Sequence, residues 1–407
     1  MIKRSLYVTY DGLLDPLGQS QIIPYLKIIS QNRELTVLSF EKEKNIINLK
    51  NLKNELNKYN IKFFNLIFTK KYGKIGRLID LIKLFFFLIY IINKKKYKII
   101  HARSHIPAFV VYLSKFFFNI YFIFDFRGLW IDERIDNLSF NMNFILNKIL
   151  YRFLKLIERK LILASDKIIV LTNKVVPEIK RISNNNNLQI SVIPCCTDYD
   201  FFYKDIYNSQ IKELRKQLNI EEDKKIISYC GSLGGVYLFE DMINFFKILK
   251  KSDDKFIFLL ITNNPNQALE KLKKFKDNSL VKSIIVKSVE RKEVPIYLSL
   301  SDIMIFFINN TYARQASSPT KLAESLALGI PVISNNNVGD IDIIIKSLNA
   351  GISLNCRNNI EINNCIKNIK NIIELGGNDL RNRSREYFGI EIAKKKYLSI
   401  YEELDKI

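Results

Sequence analysis

The chain has 407 residues, of which 48% are hydrophobic and 26% charged, and it carries a formal net charge of +22. That balance excludes a disordered chain, and the length favours two domains of about 200 residues over one core. Five cysteines without a C-x-x-C pair and only two histidines, His101 and His105, argue against a zinc site and for reduced thiols in a cytosolic protein. We expect neither a metal nor an organic cofactor.

The opening "MIKRSLYVTYDG" reads as a first β-strand rather than a leader. The loop "YDGLLDPLGQSQ" (10–21) follows, with Gly12, Gly18 and Gln19 ahead of or inside a helix start. Glycines there let backbone amides approach an anion, although a plain βα turn reads equally well. After the strand "LTVLSF" (35–40) comes the most apolar segment, residues 77–96. Its run from Leu78 to Ile92 contains Asp80 and Lys83 and falls short of the roughly 20 apolar residues of a spanning helix. It reads either as a Lys-flanked helix lying at a bilayer interface or as a core-facing helix. Residues 1–200 hold 32 Lys and Arg against 16 Asp and Glu, whereas the remainder holds 31 against 25. A basic N-terminal half suits an anionic partner such as a membrane surface, although a Lys-, Asn- and Ile-rich composition is also a plain compositional bias.

Farther on, "YKIIHARS" (97–104) reads as a strand, and alternation through "HARSHIP" would point His101, Arg103 and His105 to one side. "IYFIFDFRG" (120–128) leads into "FDFRGLWIDER", where Asp125, Arg127, Asp132, Glu133 and Arg134 surround Trp130. Charges of both signs after a buried strand suit a polar ligand, or they pair with one another. "DKIIVLT" (166–172) and "ISVIPCCTDYDFF" (190–202) complete the first set of βα units. The pattern restarts with "KIISYCGSLGG" (225–235), "FIFLLITNN", "SIIVKSV", "DIMIFFI" and "IPVISN" (330–335). Two successive sets predict an α/β protein with two Rossmann-like domains facing across a cleft, and ligands beyond the carboxyl ends of the strands. The expected divisions are 1–197, 198–385, and terminal helices over 386–407 that pack back on the first domain.

In the second half, "YCGSLGGVYLFEDM" (229–242) offers Gly231 and Ser232 before a helix, without a dinucleotide or P-loop fingerprint. "SSPTKLAESLALGIPVIS" (317–334) is richer. Ser318, Pro319 and Thr320 open a helix whose free amides favour an anion, Lys321 adds a cation, and Glu324 lies one turn on. That arrangement suits a phosphate grip with a carboxylate on a ribose diol, Arg314 joining from upstream. The alternative is an ordinary i,i+3 ion pair between Lys321 and Glu324.

At these residues the chain resembles a retaining glycosyltransferase of family 4, with the GT-B fold, of a bacterial surface-polysaccharide branch. The similarity rests on "DGLLDPLGQSQIIPYL", "FDFRGLWIDER", "VIPCCTDYDFF" and "SSPTKLAESLALGIPVIS". It implies transfer of a sugar, with retention and without a metal, from a UDP- or GDP-sugar to a glycan or lipid-linked acceptor. Glu324 matches the second glutamate of the family's E-x7-E motif, the ribose ligand; the first falls on Ala316. The resemblance leaves Arg103 and His105 as alternatives for the donor-sugar contact and assigns the diphosphate to Arg314 and Lys321. The implied catalytic set is Arg103, His105, Asp125 and Arg127; the implied donor set is Gly12, Gly18, Gln19, Gly231, Ser232, Arg314, Ser318, Pro319, Thr320, Lys321 and Glu324. A cytoplasmic enzyme held peripherally at the inner membrane face is expected, with no nucleic-acid partner. The rival readings are a nucleotide-sugar epimerase on the same fold and a non-catalytic, basic nucleotide- or membrane-binding protein.

Overall fold

The computed structural model describes residues 3–43, 46–69, 73–136, 141–275 and 277–407. The chain divides into two compact units, Met1–Pro194 together with Glu391–Ile407, and Cys195–Ile390.

In the first unit seven strands form one parallel sheet: β1 (Arg4–Thr9), β2 (Glu34–Glu41), β3 (Ile61–Ile67), β4 (Ile99–Arg103), β5 (Tyr121–Phe126), β6 (Lys167–Val170) and β7 (Ile190–Val192). Their order is β3-β2-β1-β4-β5-β6-β7. The central strands are buried on both faces, which is why they read as near-continuous runs of Leu, Ile, Val and Phe. Strand order reverses between β1 and β4, so a crevice opens at the carboxyl ends of those two strands. Register sets Thr9 beside Arg103, and Arg103 beside Asp125, at that edge.

The last helix, Ile390–Asp405, belongs to this first unit. Its Tyr397 and Tyr401 are buried, Tyr397 packing 5.2 Å from Tyr25 between ring centroids. Arg33 sits 4.4 Å over the Tyr401 ring and reaches Asp405 at 2.9 Å. The apolar run around residues 78–92 lies within a helix, Gly73–Lys95, that buries Leu84, Leu88, Ile91 and Ile92 and exposes Leu78, Ile82, Phe86 and Tyr90. Among the described residues no helix is long and apolar enough to cross a membrane.

The second unit holds a six-stranded parallel sheet of β8 (Lys225–Cys230), β9 (Phe256–Ile261), β10 (Ile284–Lys287), β11 (Ile303–Phe306), β12 (Val332–Asn335) and β13 (Gly351–Leu354). The order β10-β9-β8-β11-β12-β13 reverses between β8 and β11. Two strands stand outside the sequence expectation, β3 and β13. Both are sheet edges with half-exposed residues, so neither carries the apolar run that marks the central strands.

One cation ties this unit together. Arg381, buried and without a carboxylate partner among the described residues, donates to the carbonyls of Phe202 and Tyr199, each at 2.6 Å, and to that of Ala327. Its guanidinium also lies 4.5 Å over Tyr203, and burial lowers its pKa. Removing the guanidinium would take a charged donor from three carbonyls at once. Arg381→Ala is expected to cost about 2–4 kcal/mol of stability in urea unfolding, and Arg381→Lys to restore only part, because one ammonium cannot span three carbonyls in a planar fork.

Candidate functional site

In the first unit the residues at the switch point converge on one carboxylate. Asp125 is fully buried and lies 3.4 Å from Arg103 Nη1, 3.4 Å from Arg127 Nη1 and 3.5 Å from His101 Nε2. Burial alone would raise its pKa, but Arg127, the neighbouring His101 and Arg103 together hold the carboxyl well below the usual range. His101 is pushed the other way, chiefly by burial, and stays neutral. Its Nδ1 meets the Tyr401 hydroxyl at 3.0 Å, so the terminal helix fixes the ring that faces Asp125. Arg103 also reaches Asp11, just past β1, at 3.4 Å.

His105 does not join this group. The chain leaves the strand at Ser104 with φ of +70°, and His105 becomes the first residue of the helix His105–Ser114, which breaks the alternation expected through "HARSH". Its Nε2 contacts Glu158 at 2.9 Å, while its ring stacks on Trp130 at 5.7 Å. Lys155 bridges Glu158 and Asp132, completing a second polar cluster. The buried Nδ1 of His105 has no hydrogen-bond partner among the described residues.

The loop after β1 also differs from expectation. Its amides are turned inward: the Leu13 N–H donates to Glu41 at 2.7 Å, and that of Leu14 donates at 3.5 Å. Gln19 spends its side-chain N–H on the Leu13 carbonyl at 3.0 Å. At Gly18 a Cβ would lie 2.2 Å from the Gly12 carbonyl oxygen, and at Gly12 one would lie 2.9 Å from Glu41. The glycines thus let the loop close on Glu41, whose own pKa is raised by burial.

The second unit presents a different electrostatic arrangement. Helix Thr320–Ala327 begins just after Pro319, which occupies the capping position rather than the first turn. Lys321 and Glu324 are each 5% exposed and do not pair. Glu324 binds Arg291 at 2.7 Å. Lys321 has no carboxylate in reach among the described residues; its ammonium lies 3.5 Å over the Tyr237 ring and 5.1 Å from that of Tyr229. The same ammonium faces Gly231, where a Cβ would sit 3.1 Å from Nζ and where φ is +151°, so only glycine fits. Tyr229 donates its hydroxyl to the Ser232 carbonyl at 2.6 Å, fixing the loop above the cation. Cys230, beside this group, has its thiol pushed up to about 12 by burial first and then by Glu324.

Of the other expected donor residues, Ser318 accepts the Cys195 N–H at 3.1 Å and so anchors the start of the unit. Arg314 sits buried on the turn Tyr312–Ala316, 3.4 Å from the Ser317 hydroxyl. Thr320 is the first helical residue. The structure therefore brings Gly231, Ser232 and Lys321 together, and it sets Glu324 against Arg291. Residues outside the sequence reading are Asp11, Glu41, Glu158, Tyr229, Tyr237 and Arg291. The "YxxxxxxxY" spacing of Tyr229 and Tyr237 around the glycines was the one local signal available for the cage. Among the described residues no His, Cys, Asp or Glu cluster could hold a metal ion.

Comparison with known proteins bears on this geometry. Residues 210–387 match the family model described as Glycosyl transferases group 1. No curated protein matches the chain. Among solved structures, a glycosyltransferase from Rickettsia africae ESF-5 is 17% identical with a TM-score of 0.70, over 100% of this chain and 99% of its own. HepE of Anabaena in complex with UDP is 14% identical with a TM-score of 0.70, over 100% of both chains. WaaG, a glycosyltransferase involved in lipopolysaccharide biosynthesis, is 12% identical with a TM-score of 0.65, covering 98% of this chain and 99% of its own. At such identities these likenesses establish the shared fold, two parallel-sheet α/β domains of the GT-B type. The second unit, with its caged lysine, carries a domain of the Glycosyl transferases group 1 family.

Proposed function

We propose that the protein transfers a sugar from a nucleotide-diphosphate sugar to a glycan or lipid-linked acceptor. The transfer retains anomeric configuration, needs no metal, and serves bacterial surface-polysaccharide synthesis from the cytoplasmic face of the membrane. The observation that carries this reading is Lys321, a buried ammonium with no carboxylate partner among the described residues, held by two tyrosine rings against Gly231. A buried cation without a counter-ion is costly, and a bound diphosphate at the adjoining helix start supplies the missing charge. The HepE structures, solved with UDP and with UDP-glucose, make a uridine nucleotide the first to test.

In this reading Glu324 accepts hydrogen bonds from the ribose hydroxyls, steered by Arg291, and Arg314 supports the diphosphate. Catalysis is electrostatic: Lys321 and the helix amides stabilise charge gathering on the diphosphate as the glycosidic bond breaks. The leaving diphosphate takes the acceptor's proton, so no separate base is required. On the acceptor side, Arg103 and Arg127, braced by Asp125, and His105, braced by Glu158, are the groups offered to the sugars.

Calorimetry with UDP, GDP, ADP and CMP is expected to show selective binding of one nucleotide. Lys321→Ala should weaken the diphosphate about 30-fold or more, the loss of a charge-assisted contact worth about 2–3 kcal/mol, while leaving the free nucleoside unaffected. Failure of every nucleotide to bind would leave the binding-protein reading in its place. Arg291→Gln is expected to weaken UDP several-fold more than 2′-deoxy-UDP, because only the ribose diol uses Glu324; equal losses would remove Glu324 from the ribose. Sugar transfer should continue in excess EDTA and give a product of retained configuration by NMR. Inversion or loss of turnover in EDTA would overturn that part, and sugar isomerisation without acceptor would favour the epimerase.

A further inference from the structure

The turn that follows β1 carries one carboxylate that the fold holds without enclosing. The Asp11 side chain is 42% exposed, and its Oδ2 lies 3.4 Å from Arg103 Nε. Its other oxygen, Oδ1, has no polar partner among the described residues. The backbone is pinned on both sides of it. The Asp11 N–H donates to Thr9 Oγ1 at 3.0 Å, and Glu41 accepts the N–H groups of Leu13 and Leu14. Thr9 is itself buried and lies beside Arg103 in register. Asp11 therefore stands at the crevice between β1 and β4 with one oxygen engaged and the other open.

An exposed carboxylate beside an arginine is usually a solvated pair of little consequence. This pair differs, because Arg103 is 2% exposed and already bound through Nη1 to the buried Asp125. Asp125 also takes Arg127, whose side chain is 10% exposed. Two guanidiniums thus meet two carboxylates, and His101 beside them is neutral. The group as a whole carries no net charge, so it has little electrostatic attraction for a phosphate or a carboxylate. What it offers is an acceptor-only oxygen, fixed in place and open, which suits the donating hydroxyls of an uncharged sugar. An acidic sugar set against the same oxygen would meet it as a like charge.

We infer, on the basis of the sugar-transfer reading above, that Asp11 selects the acceptor by the charge of its sugar. It takes hydrogen bonds from the hydroxyls of a neutral sugar unit and turns away a uronate. Its role is to bind and orient; it receives no proton, since the departing diphosphate takes the one the acceptor loses.

The test is saturation-transfer NMR on the full chain at neutral pH, with the methyl glycosides of glucose, galactose and mannose, each against its uronate. The neutral member of a pair is expected to bind about fivefold or more tightly. Asp11→Asn keeps an oxygen for Arg103 and removes only the charge, which leaves the group cationic. It should weaken the neutral glycoside about tenfold and turn the preference towards the uronate. Asp11→Glu, which retains the charge, should retain the preference for the neutral sugar. A carboxylate that served only as a counter-ion to Arg103, away from the sugar, would leave the order of binding the same in all three proteins. That result, equal binding of sugar and uronate to the unmodified protein, or no saturation of any glycoside would each overturn the inference. Nucleotide calorimetry on the unmodified protein decides the transfer reading separately. Bound nucleotide with unselective sugars removes the role of Asp11 alone, whereas selective sugars without bound nucleotide remove transfer and keep the sugar site.

Discussion

A buried ammonium without an acid beside it is the constraint around which the second unit is organised. Placing Lys321 in the interior costs several kcal/mol of lost hydration, and the faces of Tyr229 and Tyr237 return only part of that. Everything nearby follows from keeping that cation accessible to an anion and away from a permanent partner. Glycine suits position 231 because its φ of +151° is one that L side chains rarely adopt, and a Cβ there would lie 3.1 Å from Nζ. Glu324, one turn along the same helix, is turned to Arg291, so the adjacent negative charge is not spent on the lysine.

The first unit solves the opposite problem. Here the charges are neutralised internally: one carboxylate, Asp125, holds Arg103 and Arg127, and a neutral His101 fills the remaining side. Two guanidiniums that would repel one another are thereby fixed at the carboxyl edge of the sheet. Glu41 does the same for the loop after β1, and Glu158 for His105. A polar edge assembled this way is held in place by its own ion pairs, and pre-organised groups lose little entropy on binding a ligand.

How much of this was legible in the sequence depends on how far each signal reached along the chain. Central strands announced themselves, because burial on both faces demands unbroken apolar runs, whereas the edge strands β3 and β13 did not. The helix of Lys321 was readable because its capping segment and both charges lie within eight residues. The partners were not: Arg291 comes from the segment after β10, and Tyr237 from the far end of a glycine loop. At Ser104 a single left-handed residue redirected His105 away from Arg103, a turn that alternation cannot reveal. Glu41 escaped notice as one more acid at the end of a strand, since nothing local says that two amides from another loop will reach it.

The terminal helix has a consequence for how the chain is made. Tyr397 and Tyr401 pack around His101, and Asp405 secures Arg33, yet these residues are separated from the rest of their unit by nearly two hundred others. A ribosome releases the N-terminal portion long before it supplies them. The sheet of the first unit therefore emerges with an open flank of buried-type aromatic residues and waits for the final helix to close it. The whole of the intervening unit is therefore synthesised before the first unit receives the helix that completes its core.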